Sequence, residues 1–256
     1  MDTARVVRGA ASSAGAGAAA GLGLLAAQVW TASRRRYLSP STAPSVEGEY
    51  GEVGAPSLRL VVVGDSTGAG LGVTRTEDTV GGALARRLAR DNRRVRLSGA
   101  AIAGSGSGDL GPQISRALLG RPDVAVVLVG AMDATRGTPL SAVRRQLGDA
   151  VHRLRAADVR VVVGTCPDLG ASRAFSQPLR ALVAWRGRRV AGVSAVATFD
   201  AGGVAVDLAG ETGAVFRADP GTFSVDRFHP SADGYRLFVE ALLPAVSDAA
   251  GARAEL

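Results

Sequence analysis

Five short segments rich in apolar residues recur along the chain after residue 57, and each leads into a polar or glycine-containing turn. Continuous apolar runs of this length are typical of strands buried on both faces of a parallel sheet. The predicted strands cover residues 60–63, 95–97, 123–129, 159–163 and 204–208. The run at 123–129, DVAVVLV, carries the strongest signal because six of its seven residues are apolar.

Between these runs, apolar residues recur at the spacing of an amphipathic helix. In the first such segment Leu84 and Leu88 share one face, while three arginines occupy the other. The predicted helices cover residues 80–91, 110–119, 139–157, 178–198 and 232–248. Strands that alternate with helices indicate the α/β class, with a doubly wound parallel sheet and helices on both of its faces. Ligand sites in such sheets lie at the carboxyl ends of the strands.

The N-terminal part of the chain has a different pattern. Residues 10–32 carry no charge and are rich in Ala, Gly and Leu, with arginines on both sides. About 20 apolar residues can cross a bilayer as a helix, so we expect residues 1–38 to hold one hydrophobic membrane anchor. The alternative is a signal segment that is cleaved to give a secreted protein. The side of the membrane stays open, although the heavier positive flank at 34–36 favours a cytoplasmic domain.

Residues 39–56 contain several Pro, Ser, Gly and Glu and are predicted to be a linker. The globular domain is then expected to cover residues 57–250. The sequence of that range contains no internal repeat.

Composition narrows the range of partners. The net charge is +7 and every basic residue is arginine. No basic run is interleaved with aromatics as in nucleic-acid grooves, so no nucleic-acid partner is predicted. Cys166 is the single cysteine, which excludes an internal disulfide. Because the chain has only two histidines, His152 and His229, no metal-ligand cluster is expected.

The first predicted strand ends in a GDST turn that places Ser66 at the edge of the sheet. A serine hydroxyl becomes a nucleophile when a base, usually a histidine oriented by a carboxylate, takes its proton. His152 falls within the long amphipathic helix and is expected to be exposed or partly packed. His229 falls in a loop three residues after Asp226, so one short loop can present both the imidazole and the carboxylate. Ser66, His229 and Asp226 are therefore the candidate catalytic residues.

These motifs together resemble the SGNH hydrolases, also called GDSL-type esterases and lipases. GDST at 64–67 matches the block that carries the nucleophile, and DRFHP at 226–230 matches the block that carries the acid and the base. IAGSGSGDL at 102–110 resembles the block whose glycine donates to the oxyanion hole, which aligns with Gly104 or with Gly106. The resemblance covers about residues 58–246. It implies a flavodoxin-like three-layer α/β/α sandwich with five parallel strands, preceded here by the N-terminal hydrophobic helix.

One block departs from the family pattern. The family's G-x-N-D is Gly130-Ala131-Met132-Asp133 in this chain, so Met132 occupies the position of the oxyanion-hole asparagine. A thioether donates no hydrogen bond. Loss of one oxyanion donor typically lowers turnover by about 10²–10³. The resemblance leaves the backbone amides of Ser66 and Gly104 as donors, and Arg136 or Ser105 as possible substitutes.

The sequence thus predicts a serine-dependent hydrolase of carboxylic esters whose oxyanion hole lacks one donor. The expected substrate is a small-molecule, lipid or acylated-sugar ester, and neither a cofactor nor a metal is implied. Two alternatives stay open. One is a non-catalytic pseudo-hydrolase that binds an acylated ligand, and the other is a carbohydrate O-deacetylase. The sequence does not indicate an oligomeric state.

Overall fold

The structure, a computed structural model of the chain, describes residues 21–251. The strands are β1 (Gly48–Tyr50), β2 (Ser57–Gly64), β3 (Arg94–Gly99), β4 (Val124–Leu128), β5 (Arg160–Gly164) and β6 (Val204–Val206). The α-helices are α1 (residues 21–34), α2 (Val80–Leu88), α3 (Leu110–Leu119), α4 (Ala131–Arg136), α5 (Leu140–Arg155), α6 (Leu179–Asp200), α7 (Leu208–Ala218) and α8 (Ala232–Gly251).

The six strands form one sheet in the order β1-β3-β2-β4-β5-β6. Strands β2 to β6 are parallel, and β1 pairs antiparallel with β3 at one edge. The chain moves from β2 outward to β3 and then returns to the other side of β2 to form β4. This reversal creates a crevice at the carboxyl ends of β2 and β4, where open α/β sheets bind their ligands.

Side chains of β2 alternate between the two faces of the sheet, as the two-residue period of a strand requires. Leu60 and Val62 join a buried cluster with α2 and α8, whereas Val61 and Val63 join a second cluster with α3 and α5. All four side chains are almost fully buried. Burial of each contributes roughly 1.5–3 kcal/mol, which explains why the run is apolar throughout. The result is a three-layer α/β/α arrangement.

The five predicted parallel strands are present as β2 to β6, but the prediction of a five-stranded sheet was wrong by one strand. Residues Gly48–Tyr50, inside the predicted linker, pair with β3 so that Tyr50 lies opposite Val95. Val46 beside them is 8% exposed and packs in the core. Three strand residues between turns are too few to give an alternating pattern, and the Pro and Ser content of the region hid them.

Two helices were also absent from the prediction. Helix α4 has only six residues and begins two residues after β4. Helix α7 begins at Leu208, where the sequence predicted the end of a strand, and β6 stops at Val206. Gly210 and Gly213 lower the helix propensity of α7, so its helical character depends on burial of residues such as Phe216.

The predicted membrane anchor coincides only in part with the described chain, because residues 1–20 lie outside it. Within residues 21–251, no helix is both long and apolar enough to cross a membrane. Helix α1 packs on the domain. Its Leu25 and Ala32 contact a third buried cluster that includes Leu179 and Val183 of α6.

Candidate active site

Ser66 lies in the turn that follows β2, at the crevice between β2 and β4. Gly64 ends the strand with a φ of +128°, and a Cβ there would lie 1.8 Å from the carbonyl oxygen of Leu128. Only glycine allows this close approach of the two strands. The amide of Asp65 then donates to the same carbonyl at 2.8 Å. The chain turns sharply there, and Ser66 lines a cavity while only 8% exposed.

Gln113 of α3 holds this turn, a role that the sequence motifs did not predict. Its Oε1 accepts the Gly64 amide at 2.7 Å, and its Nε2 donates to the Gly64 carbonyl at 3.0 Å. The same Nε2 donates to Ser105 Oγ at 3.1 Å, so one buried amide joins the Ser66 turn to the glycine-rich turn. A sequence signal did exist, because Gln113 is a polar residue on the face of α3 that buries Leu110 and Ile114.

The glycine-rich turn presents Gly104 to the cavity. Gly104 has a φ of +85°, and no heavy atom outside its immediate neighbours lies within 4 Å of where its Cβ would be. The amide of Gly106, by contrast, donates to Asp109 Oδ2 at 2.9 Å and is therefore occupied. Of the two glycines that the sequence left open, the geometry favours Gly104 as the backbone donor.

Asp133 fixes the same turn from the other side. It lies in the first turn of α4 and is 1% exposed. Its Oδ2 accepts the Ser107 amide at 2.9 Å, and its Oδ1 lies 2.9 Å from the Ser107 hydroxyl, which donates to it. The Asp133 carboxylate thus holds the backbone of the glycine-rich turn at Ser107. This contact places that turn next to α4, which carries Met132.

His229 and Asp226 share the loop before α8. His229 Nδ1 lies 2.6 Å from Asp226 Oδ2, and both residues are buried. Asp226 Oδ1 accepts the backbone amides of Phe228 and His229, each at 3.0 Å. Burial alone would raise the pKa of Asp226, but the hydrogen bonds from the His229 ring and these two amides outweigh it and lower that pKa. Asp226 is therefore held as a carboxylate that faces the imidazole.

The three motifs meet at one cavity of about 420 Å³, which Ser66, Gly104, Met132 and His229 all line. Asp226 lies directly behind His229, on the Nδ1 side of the ring. The volume falls within the range of roughly 300–1,000 Å³ usual for small-molecule sites. The structure thus brings together all the candidate site residues that the sequence had placed in separate segments.

The cavity wall near Met132 offers few side-chain donors. Thr135 lines the cavity, but its hydroxyl donates to the Ala131 carbonyl at 3.0 Å. Ser105 is 5% exposed, and its oxygen accepts from Gln113. Of the two substitute donors considered from the sequence, Arg136 lines the cavity and Ser105 does not.

Other chemically notable residues lie away from this cavity. His152 is exposed on α5 and lines a surface groove with Arg144 and Asp200. Cys166 is fully buried, and burial raises the pKa of its thiol well above the ordinary value. Among residues 21–251, no group of three or more His, Cys, Asp or Glu side chains is placed to hold a metal ion.

Residues 62–237 match the sequence profile of the family described as GDSL-like Lipase/Acylhydrolase. That range contains every residue named above as lining the cavity near Ser66. The chain belongs to the GDSL-like lipase/acylhydrolase family. A GDSL-like esterase of Mycobacterium tuberculosis (strain H37Rv) is 38% identical to it over 260 residues, which cover 94% of this chain and 83% of that relative.

Solved structures share the fold of this GDSL-like chain. TesA superposes with a TM-score of 0.60 at 22% identity, over 75% of this chain and 99% of TesA. The lipase/acylhydrolase from Enterococcus faecalis gives 0.59 at 21% identity, over 75% of this chain and 96% of that one. Both neighbours are matched almost whole, whereas a quarter of this chain is not. Helix α1 and strand β1 also precede the residues that match the family profile.

Proposed function

We propose that this protein hydrolyses carboxylic esters, with Ser66 as nucleophile, His229 as general base and acid, and Asp226 as the carboxylate that orients His229. The observation that carries the proposal is the 2.6 Å hydrogen bond between His229 Nδ1 and Asp226 Oδ2, because it leaves the other ring nitrogen for Ser66 in a shared cavity. The 38% identical relative, which is named as an esterase, supports the same reaction class.

In the proposed reaction, Ser66 Oγ forms a bond to the ester carbonyl carbon while its proton passes to His229 Nε2. The resulting oxyanion accepts from the amides of Ser66 and Gly104. When the tetrahedral intermediate collapses, the bond to the alcohol oxygen breaks and His229 returns the proton to that oxygen. Water, activated by the same imidazole, then attacks the acyl-enzyme and releases the acid. No cofactor takes part.

The replacement of asparagine by Met132 supports one competing proposal, a pseudo-hydrolase that binds an acylated ligand without turnover. Met132 lines the same cavity as Ser66, so the side chain at the position of the family's oxyanion-hole asparagine offers no amide to that cavity. The two proposals predict different outcomes for ester turnover. A catalyst releases acid from a panel of acyl esters or acetylated sugars, whereas a binding protein retains such esters unchanged.

A fluorophosphonate probe tests the nucleophile directly. We expect the probe to label the native chain and a Ser141→Ala control, since Ser141 is exposed on α5. Ser66→Ala should be unlabelled and should lose ester turnover by at least about a thousandfold, the range seen when a triad member is removed. A folded native chain that resists labelling, or a label that persists in Ser66→Ala, would contradict the assignment.

We also infer that the N-terminal region associates with a membrane. Leu22 and Trp30 of α1 are each more than half exposed, and Arg34 stacks over the Trp30 ring at 4.6 Å. A tryptophan beside arginine is typical of the interface between lipid and water. The full chain should sediment with vesicles of anionic lipid, and Trp30→Glu should lower the fraction of protein that sediments. A full chain that stays in the supernatant would refute the inference.

A further inference from the structure

The N-terminal arm, defined as residues 21–40, lies outside the range that matches the family profile, yet it is seated against the active site. Its helix is fixed at the start of α6 by Gln28. The Nε2 of that side chain donates to the Gln177 carbonyl at 2.6 Å, and its Oε1 accepts the Leu179 amide at 3.0 Å. This reciprocal pair fixes both the rotation and the height of α1 relative to α6.

The end of the arm contacts the loop that carries Asp226, the carboxylate that faces His229. The Leu38 amide donates to Asp226 Oδ2 at 3.2 Å, and the Arg35 guanidinium donates to the Asp226 carbonyl at 3.0 Å. The Tyr37 ring packs edge-on against Phe228 with centroids 5.3 Å apart. These contacts hold residues 35–38 against Asp226 and Phe228, and Tyr37 and Leu38 line the same cavity as His229.

Between these two attachment points, residues of the arm line the 420 Å³ cavity. Val29 and Ala32 of α1 line the cavity together with Leu179 and Val183 of α6. The lining is mainly apolar and includes Ser66 as well as residues of both helices. Val29, Ala32 and Leu38 lie outside residues 62–237, so the family-matched range does not supply this part of the lining.

We propose that the arm forms a wall of the acyl-binding site and thereby makes the enzyme prefer esters with an apolar acyl chain of medium length. This rests on the proposed function, because the carbonyl carbon must lie at Ser66 for the chain to enter between α1 and α6. An acetyl group would leave most of the cavity empty. Each further methylene that leaves water there would favour binding by up to roughly fourfold.

The test compares acetyl and hexanoyl p-nitrophenyl esters on the full chain. The native chain should show kcat/KM for hexanoyl at least roughly tenfold above acetyl, a fraction of the full transfer gain. Ala32→Phe places a ring at the cavity and should reduce that ratio at least fivefold, because the ring takes up space that the hexanoyl chain needs and the acetyl group does not. Ala27→Phe is the matched control, since Ala27 is exposed on the same helix and should leave the ratio unchanged.

An unchanged ratio in Ala32→Phe, or an equal loss on both esters, overturns the proposal. The milder Ala32→Leu serves if the phenylalanine variant does not fold, as judged by its thermal midpoint. If the native chain hydrolyses no ester, the proposed function fails, and the wall is then tested by calorimetry with hexanoic acid. Weaker binding to Ala32→Phe than to Ala27→Phe would still support the wall, and equal binding would refute it.

Discussion

Asp65, the residue before Ser66, is a buried carboxyl whose ionisation opposes folding. It is 2% exposed, and burial raises its pKa from 3.8 to about 6, although hydrogen bonds from Thr67 partly oppose the shift. A raised pKa means that the folded state holds the proton more tightly than the unfolded state. The tighter binding of the Asp65 proton stabilises the folded state. This stabilisation is complete below pH 3.8 and is lost as the pH rises through about 6.

Asp65→Asn isolates this effect. The amide oxygen of asparagine can still accept the Thr67 amide, which lies 2.8 Å from Asp65 Oδ1, but it carries no charge. The difference between the two pKa values corresponds to roughly 3 kcal/mol at neutral pH. The free energy of unfolding of Asp65→Asn minus that of the native chain should therefore increase by about 2–3 kcal/mol between about pH 4 and about pH 8.

Urea unfolding across that pH range measures the difference. Asp248→Asn is the control, because Asp248 is exposed on α8 and its replacement should change stability by no more than about 0.5 kcal/mol at any pH. A difference for Asp65→Asn that stays flat with pH, or that narrows as the pH rises, would refute the reasoning about burial of this carboxyl.

Three further substitutions test how the site is built. Met132→Asn should raise kcat by about 10²–10³ with little change in KM, and no gain in steady-state assays would contradict the missing-donor argument. Gln113→Leu removes the acceptor of the buried Gly64 amide, while the Gly64 carbonyl keeps the Ile102 amide as a donor, and should cost about 1–3 kcal/mol in urea unfolding; an unaffected midpoint would contradict the role of Gln113 in holding the turn. Gly64→Ala, with its Cβ 1.8 Å from a carbonyl oxygen, should cost more than about 4 kcal/mol, whereas Gly192→Ala in open space on α6 should be neutral or stabilising. Equal thermal midpoints for these two glycine variants would be incompatible with the strand contact.

The order of strands and helices could be predicted because β2, β4 and β5 each contain a continuous apolar run that is buried on both faces of the sheet. Ser66, Asp226 and His229 could be proposed as site candidates for a chemical reason, since few residue types activate a serine and the chain has only two histidines. Gln113 could have been found as a polar residue on an apolar helix face. Strand β1 could not, because three residues paired at a sheet edge owe their conformation to β3 and not to their own pattern.

The arm was interpreted differently from sequence and from structure for a related reason. Its alanine and leucine content is compatible with a membrane segment, and it is equally compatible with a helix that packs on α6. The reciprocal hydrogen bonds of Gln28 connect residues about 150 positions apart, and no local pattern encodes such a contact. Distant contacts of this kind are also what determine which part of the chain is needed for a complete active site.

The Leu38 amide that donates to Asp226 has a practical consequence for work on the protein. A fragment that begins near Pro56 keeps Ser66, His229 and the whole family-matched range, and its sequence gives no reason to expect a defect. It would nevertheless lack β1, one wall of the cavity and a donor to the carboxylate beside His229. Poor turnover by such a fragment would report the loss of these supports and would say nothing against the chemistry of the intact enzyme.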